Sequence, residues 1–129
     1  MIATGLNASA LIRKRIEAKG VAQSASRFDF AKNVAAPALA KAFNAKRVWL
    51  FGSAARNEAA SDSDIDLLVE GGAGLSAKTR LSLAYDVVSS LDAPCGCDVI
   101  ILTEDEIAAK APISFFRSIL SERKLIYGK

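Results

Sequence analysis

Two apolar runs joined by a polar loop constrain this chain more than any other feature. "KRVWLF" at residues 46–51 stops at Gly52-Ser53, and "DIDLLVE" at residues 64–70 begins with a carboxylate on either side of an isoleucine. Both runs are rich in β-branched, aromatic and aliphatic residues, which favours strands. Side chains of a strand alternate between faces, so Asp64 and Asp66 point one way and Ile65 the other. Two like charges held in one small volume repel each other, and burying them unpaired costs on the order of several kcal/mol or forces protonation. A divalent cation removes that conflict. Mg²⁺ takes oxygen ligands and commonly joins one or two carboxylates to substrate phosphates, so this pair suits half of a magnesium–nucleotide site.

The rest of the chain alternates helix and strand. "NASALIRKRIEAKG" has apolar residues at 8, 11, 12 and 16, with Asn7 or Ser9 to cap it and Gly20 to stop it, which predicts an amphipathic helix. Residues 28–44 are helix-like, but Pro37 cannot donate into an interior turn, so a break is expected there, with Pro37 opening a second helix to about Phe43. After strand two, Gly71 to Gly74 form a turn, and apolar positions 77, 81, 84, 88 and 91 predict a helix over residues 76–91 that covers a sheet. "CDVIILT" is strand three. Short helices follow near 104–109 and from Pro112 to about Ser121, and "KLIYG" is a last strand. The expected architecture is an α/β layer fold, a small mixed sheet covered by helices, in one domain of residues 1–129: a helical N-terminal extension, 1–36, and a core, 37–129.

Gly52-Ser53 adds chemistry to the acid pair. A residue without Cβ at the end of strand one lets phosphate oxygens approach the backbone, where the following N–H groups and the serine hydroxyl can bind them. Asp98 opens strand three, and the intervening helix is long enough to return the chain beside strand two. Asp64, Asp66 and Asp98 can therefore face one another across neighbouring strand ends, as an oxygen cage for two metals requires.

Composition narrows the chemistry further. The chain has no histidine, which removes histidine general-base catalysis and a histidine-based zinc site. Cys95 and Cys97 flank one glycine, a spacing that reads as two reduced thiols at the start of a strand. No apolar run approaches the ~20 residues needed to span a bilayer, and the first residues lack the order of a secretory signal, so a cytoplasmic chain without a membrane partner is expected. The net charge of +3 divides into +8 over residues 1–56 and −5 over residues 57–129. Arg13-Lys14-Arg15 lie on the first helix without interleaved aromatic residues, which reads as a solvated basic face and argues against direct nucleic-acid binding.

"GSAARNEAASDSDID" resembles the Gly-Ser-x10-Asp-x-Asp signature of the polymerase-β nucleotidyltransferase superfamily, and the small size is similar to its minimal nucleotidyltransferase branch. The resemblance covers roughly residues 38–127. It implies the nucleotidyltransferase fold, with Gly52, Ser53, Arg56 and Ser63 binding the nucleotide. It further implies that Asp64, Asp66 and Asp98 hold Mg²⁺, two ions in all, with Asp98 activating the acceptor hydroxyl. The chain departs from the pattern where many relatives read Gly-Ser-Arg-x-Arg-Gly: Ala54 stands for the first arginine and Asn57 for the later glycine. Asparagine tolerates a left-handed backbone better than most residues, so the turn can survive.

The reaction implied is in-line attack of a hydroxyl on the α-phosphorus of ATP with loss of pyrophosphate. Minimal nucleotidyltransferases of this size are similar to antitoxins of HEPN/MNT toxin–antitoxin pairs, which transfer AMP to a tyrosine of the HEPN ribonuclease. The resemblance thus implies protein AMPylation of a HEPN-type toxin. Two alternatives stand beside it. One is a catalytically weak binder that neutralises a partner by covering it. The other is a small-molecule nucleotidyltransferase, and assembly stays open between homodimer and hetero-oligomer.

Overall fold

Strand β1 (Arg47–Phe51) is antiparallel to β2 (Ile65–Glu70) on one side and to β4 (Lys124–Tyr127) on the other, and β2 is parallel to β3 (Cys97–Leu102). The mixed four-stranded order is β3-β2-β1-β4 in a computed structural model that describes residues 21–59 and 63–129. The helix expected near residues 8–19 lies outside the described residues. Helix α1 covers residues 21–30, followed by α2 (Ala36–Phe43), α3 (Ala77–Ser89), α4 (Glu104–Lys110) and α5 (Ser114–Glu122). No helix among the described residues is long and apolar enough to cross a membrane.

Alternation along the strands produces two apolar layers. Val48, Leu50, Ile65, Leu67 and Val69 face α2 and α3, with Leu39, Phe43 and Ala84 buried among them. Trp49, Phe51, Leu68 and Leu102 face the other way, against Ile107 of α4 and Phe116 and Ile119 of α5. The sheet is thus covered on both sides, as expected for a strand order containing a parallel pair. Trp49 and Leu50 are both core residues, on opposite faces.

Two helices depart from expectation. In place of a break at Pro37, a π-helical turn at Ala31–Ala35 joins α1 to α2, and the Ala36 N–H bonds the Ala31 carbonyl. The wider turn accommodates a ring that has no N–H and would crowd the preceding turn of an α-helix. Helix α3 buries Ala84 and packs Leu83 and Val87, with Leu91 packing just beyond its end, but leaves Leu81 72% exposed, so the stripe read through residues 77 and 81 is rotated outward. Arg80 fixes that rotation. It donates to the carbonyls of Gly72 and Ile101, each at 3.2 Å, and pairs with Glu106 at 2.8 Å. Glu106 in turn closes the capping box of α4 with Thr103, so one guanidinium ties α3, β3 and α4 together.

Candidate active site

The acid pair stands at the end of the sheet where β1 finishes and β2 and β3 begin. Asp66 is the register partner of Phe51 on β1 and of Asp98 on β3. Period-two alternation places Asp66 and Asp98 on the face that carries Trp49, Leu68 and Leu102, which α4 and α5 cover only further along. Asp64 lies just before β2, beside the start of β3. The Ile65 N–H bonds the Gly96 carbonyl at 2.9 Å, and a Cβ on Gly96 would come within 2.6 Å of the Asp64 carboxylate. Asp64 and Asp98 are exposed and Asp66 is half-buried.

Electrostatics show that the three acids share a field. The Asp66 carboxyl is pushed up to about 6, first by burial and then by the charges of Asp98 and Asp64, while Arg56 acts in the opposite direction. Burial and like charges both favour the protonated carboxyl, and a bound cation would oppose them. No group of three or more His, Cys, Asp or Glu among the described residues is arranged to close around a metal by itself. The donor set nevertheless fits Mg²⁺. All donors are carboxylate oxygens, their mutual repulsion favours a cation, and Mg²⁺ ordinarily completes its octahedron with water and substrate phosphate.

Gly52 makes room for this cluster. Its φ is 77°, a left-handed conformation, and a Cβ at this position would run into the Asp66 carboxylate. Residues 53–57 then turn tightly: the Arg56 N–H bonds the carbonyls of Gly52 and Ser53, each at 3.2 Å, and the Glu58 N–H bonds Ser53 at 2.8 Å. Asn57 closes the turn with φ 59°, so asparagine does supply the left-handed residue. Ala54 is buried in the core at 2% exposure. Ser53 and Ser63 are half-buried in this loop region.

Arg56 is engaged by protein carboxylates. It pairs with Glu58 at 3.0 Å and with Glu122 at 2.9 Å, contacts that raise its pKa, the Glu58 bond foremost. Glu122 also accepts the Gly52 N–H at 3.1 Å. No motif in the sequence pointed to Glu122, which sits at the end of α5 and arrives through the fold alone. Helix α1 was equally illegible as part of the site. Its buried Ser24 accepts the Ala59 N–H at 3.0 Å, and its buried Arg27 donates to Cys95 at 3.2 Å, so one helix holds the loops on both sides of Asp64. Cys95 and Cys97 are free, and burial pushes the Cys97 thiol up to about 11, which keeps it protonated. On the sheet face opposite the acid side chains, Leu81, Ala84, Tyr85 and Val88 of α3 and the residues from Cys97 to Ile100 line an open groove of about 250 Å³.

Comparison with known proteins supports the family and the fold. The family model described as polymerase beta, nucleotidyltransferase matches residues 33–129. A candidate protein adenylyltransferase of Methanocaldococcus jannaschii is 33% identical over 86 residues, 64% of this chain and 78% of the relative. A second from the same archaeon is 44% identical over 62 residues, 48% of this chain and 62% of the relative. The crystal structure of a candidate nucleotidyltransferase from Sulfolobus solfataricus superposes with a TM-score of 0.58 at 21% identity, covering 85% of this chain and 88% of that one. At that identity the likeness concerns the fold.

Proposed function

Because the chain belongs to the polymerase-β nucleotidyltransferase family, we propose that it transfers AMP from MgATP to a tyrosine hydroxyl of a HEPN-type toxin in the cytoplasm and acts as the antitoxin. The observation that carries this reading is that Asp98, the register partner of Asp66 in the acid cluster, is exposed on the outer strand β3, where an acceptor carried by another molecule can reach it. An exposed acid at the margin of the sheet suits an acceptor carried on a polypeptide, whereas small ligands are usually held in enclosing pockets. The names of the two archaeal relatives, candidate protein adenylyltransferases, support the same acceptor class.

Each residue has a defined task in this proposal. Asp64 and Asp66, with Asp98, would hold Mg²⁺, which when bound supplies charge neutralisation at the triphosphate. The Gly52-Ser53 turn would receive the phosphates. Asp98 takes the proton of the acceptor hydroxyl as its oxygen bonds the α-phosphorus, and the α–β bridging bond breaks to release pyrophosphate. A second reading is favoured by one observation. Arg56 is already paired with two carboxylates, and Ala54 is buried where many relatives carry arginine, which suits a chain that neutralises its partner by binding alone. Incubation with the HEPN partner, Mg²⁺ and α-labelled ATP separates the two. Label on a partner tyrosine with release of pyrophosphate is expected, and neutralisation without label sinks the transferase reading.

A further inference from the structure

We infer that Glu122 is a built-in stand-in for phosphate, a residue that sets nucleotide affinity by occupying the phosphate-binding groups until a triphosphate displaces it. The inference rests on the nucleotidyl-transfer reading of the site. Its two carboxylate oxygens divide between two different anion-binding groups: one accepts the Gly52 N–H at 3.1 Å, and the other pairs with Arg56 at 2.9 Å. A main-chain N–H at a glycine turn together with a guanidinium is the combination that phosphate oxygens seek. The carboxylate arrives from α5, far away in sequence, and its side chain is only 27% exposed, so it is held in the turn by the fold.

The contact is one that a phosphate can take over, because each oxygen of Glu122 meets a donor that a phosphate oxygen can meet in the same way. When Glu122 leaves the turn, the Gly52 N–H and the Arg56 Nη1 become free for a β- or γ-phosphate. Glu58 provides an internal comparison. It also pairs with Arg56, at 3.0 Å and through Nε, but the Gly52 N–H donates to Glu122 and not to it.

The test measures binding of magnesium tripolyphosphate and MgATP by calorimetry to the wild type, Glu122→Gln and Glu58→Gln. Glu122→Gln is expected to bind both ligands on the order of tenfold more tightly, with the gain in transfer assays appearing in KM, and Glu58→Gln is expected to gain about twofold or less. In the wild type, tripolyphosphate should shift the NMR signals of the Gly52 amide and the Arg56 Nη1 together as Glu122 is released. Unchanged or weaker binding by a folded Glu122→Gln overturns the inference, and so does an equal gain in Glu58→Gln, which would reduce the effect to general charge. If Glu122→Gln does not fold, the wild-type spectra decide: ligand binding without movement of those two signals overturns it. Failure of every protein, wild type included, to bind either ligand removes the nucleotidyl-transfer reading itself, and this inference with it.

Discussion

Asp66 of β2 and Asp98 of β3 are direct register neighbours on parallel strands, which puts two carboxylates on one sheet face a single strand apart. Their repulsion, added to burial, gives the folded protein a raised Asp66 pKa of about 6 against an ordinary 3.8. The folded state therefore holds this proton more tightly than the unfolded chain. The contribution of Asp66 to stability falls as pH rises through that window and is least favourable above it. At pH 7.5 in EDTA, Asp66→Asn is expected to melt at a higher temperature than the wild type. Addition of Mg²⁺ should raise the wild-type Tm and leave the variant almost unmoved. A variant that melts lower in EDTA would show that Asp66 is structurally satisfied without metal.

Replacing both Asp64 and Asp66 by Asn separates chemistry from partner binding. Neutral amides lack the charge that offsets stripping water from Mg²⁺, so transfer should fall at least about 10³-fold. The double variant should still recover its partner in a pull-down, now unmodified. Full neutralisation of the partner in cells by this variant would establish the binding-only reading.

Gly52→Ala tests the turn that faces the acids. The left-handed φ of 77° costs an L-residue about 1–2 kcal/mol, and the added methyl would also push against the Asp66 carboxylate. Urea denaturation should show a loss of at least that size, and Mg²⁺ affinity should drop with it. Retained affinity would mean that Asp66 can move aside at no cost to the site.

Glu106 governs acid stability at the opposite end of the sheet. Its carboxyl is lowered to about 2 from 4.5, first by the Thr103 backbone N–H and then by Arg80 and the Thr103 hydroxyl. A depressed pKa contributes stability that is complete above about 4.5 and is lost as pH falls toward 2. Urea midpoints followed by circular dichroism should decline across that interval, and Glu106→Gln should flatten the decline. An unchanged pH profile in the variant would assign acid lability to other carboxylates.

Ser24→Ala is expected to cost about 1–3 kcal/mol, because the Ala59 N–H loses its buried acceptor. The loop leading toward Asp64 would also lose its tie to α1, so Mg²⁺ binding should weaken in the same variant. A loss of stability with unaltered Mg²⁺ affinity would confine Ser24 to packing.

The strands and the acid cluster were legible because their signals are local. Period-two alternation placed Asp66 on one face, Gly52 marked the turn, and the returning helix put Asp98 beside β2. Pro37 marked the start of α2, but relief of its ring by a π-turn depends on packing of the joined helices and has no local signature. The apolar pattern of α3 allowed more than one stripe, and Arg80, tied to two carbonyls and Glu106, selected the rotation. Glu122 and Ser24 were invisible for a related reason. Each meets its partner across a long sequence separation, Glu122 reaching Gly52 and Ser24 reaching Ala59, and their residue types are common on any helix surface.

Asp66 rides on a strand paired on both sides, whereas Asp98 rides on β3, at the outer margin of the sheet. In the proposed reaction the acid that meets the nucleotide is carried by an interior strand and the acid that meets the acceptor by an outer one. Substitutions along the outer edge of β3 would then alter what reaches Asp98 while Asp66 keeps its place between two paired neighbours.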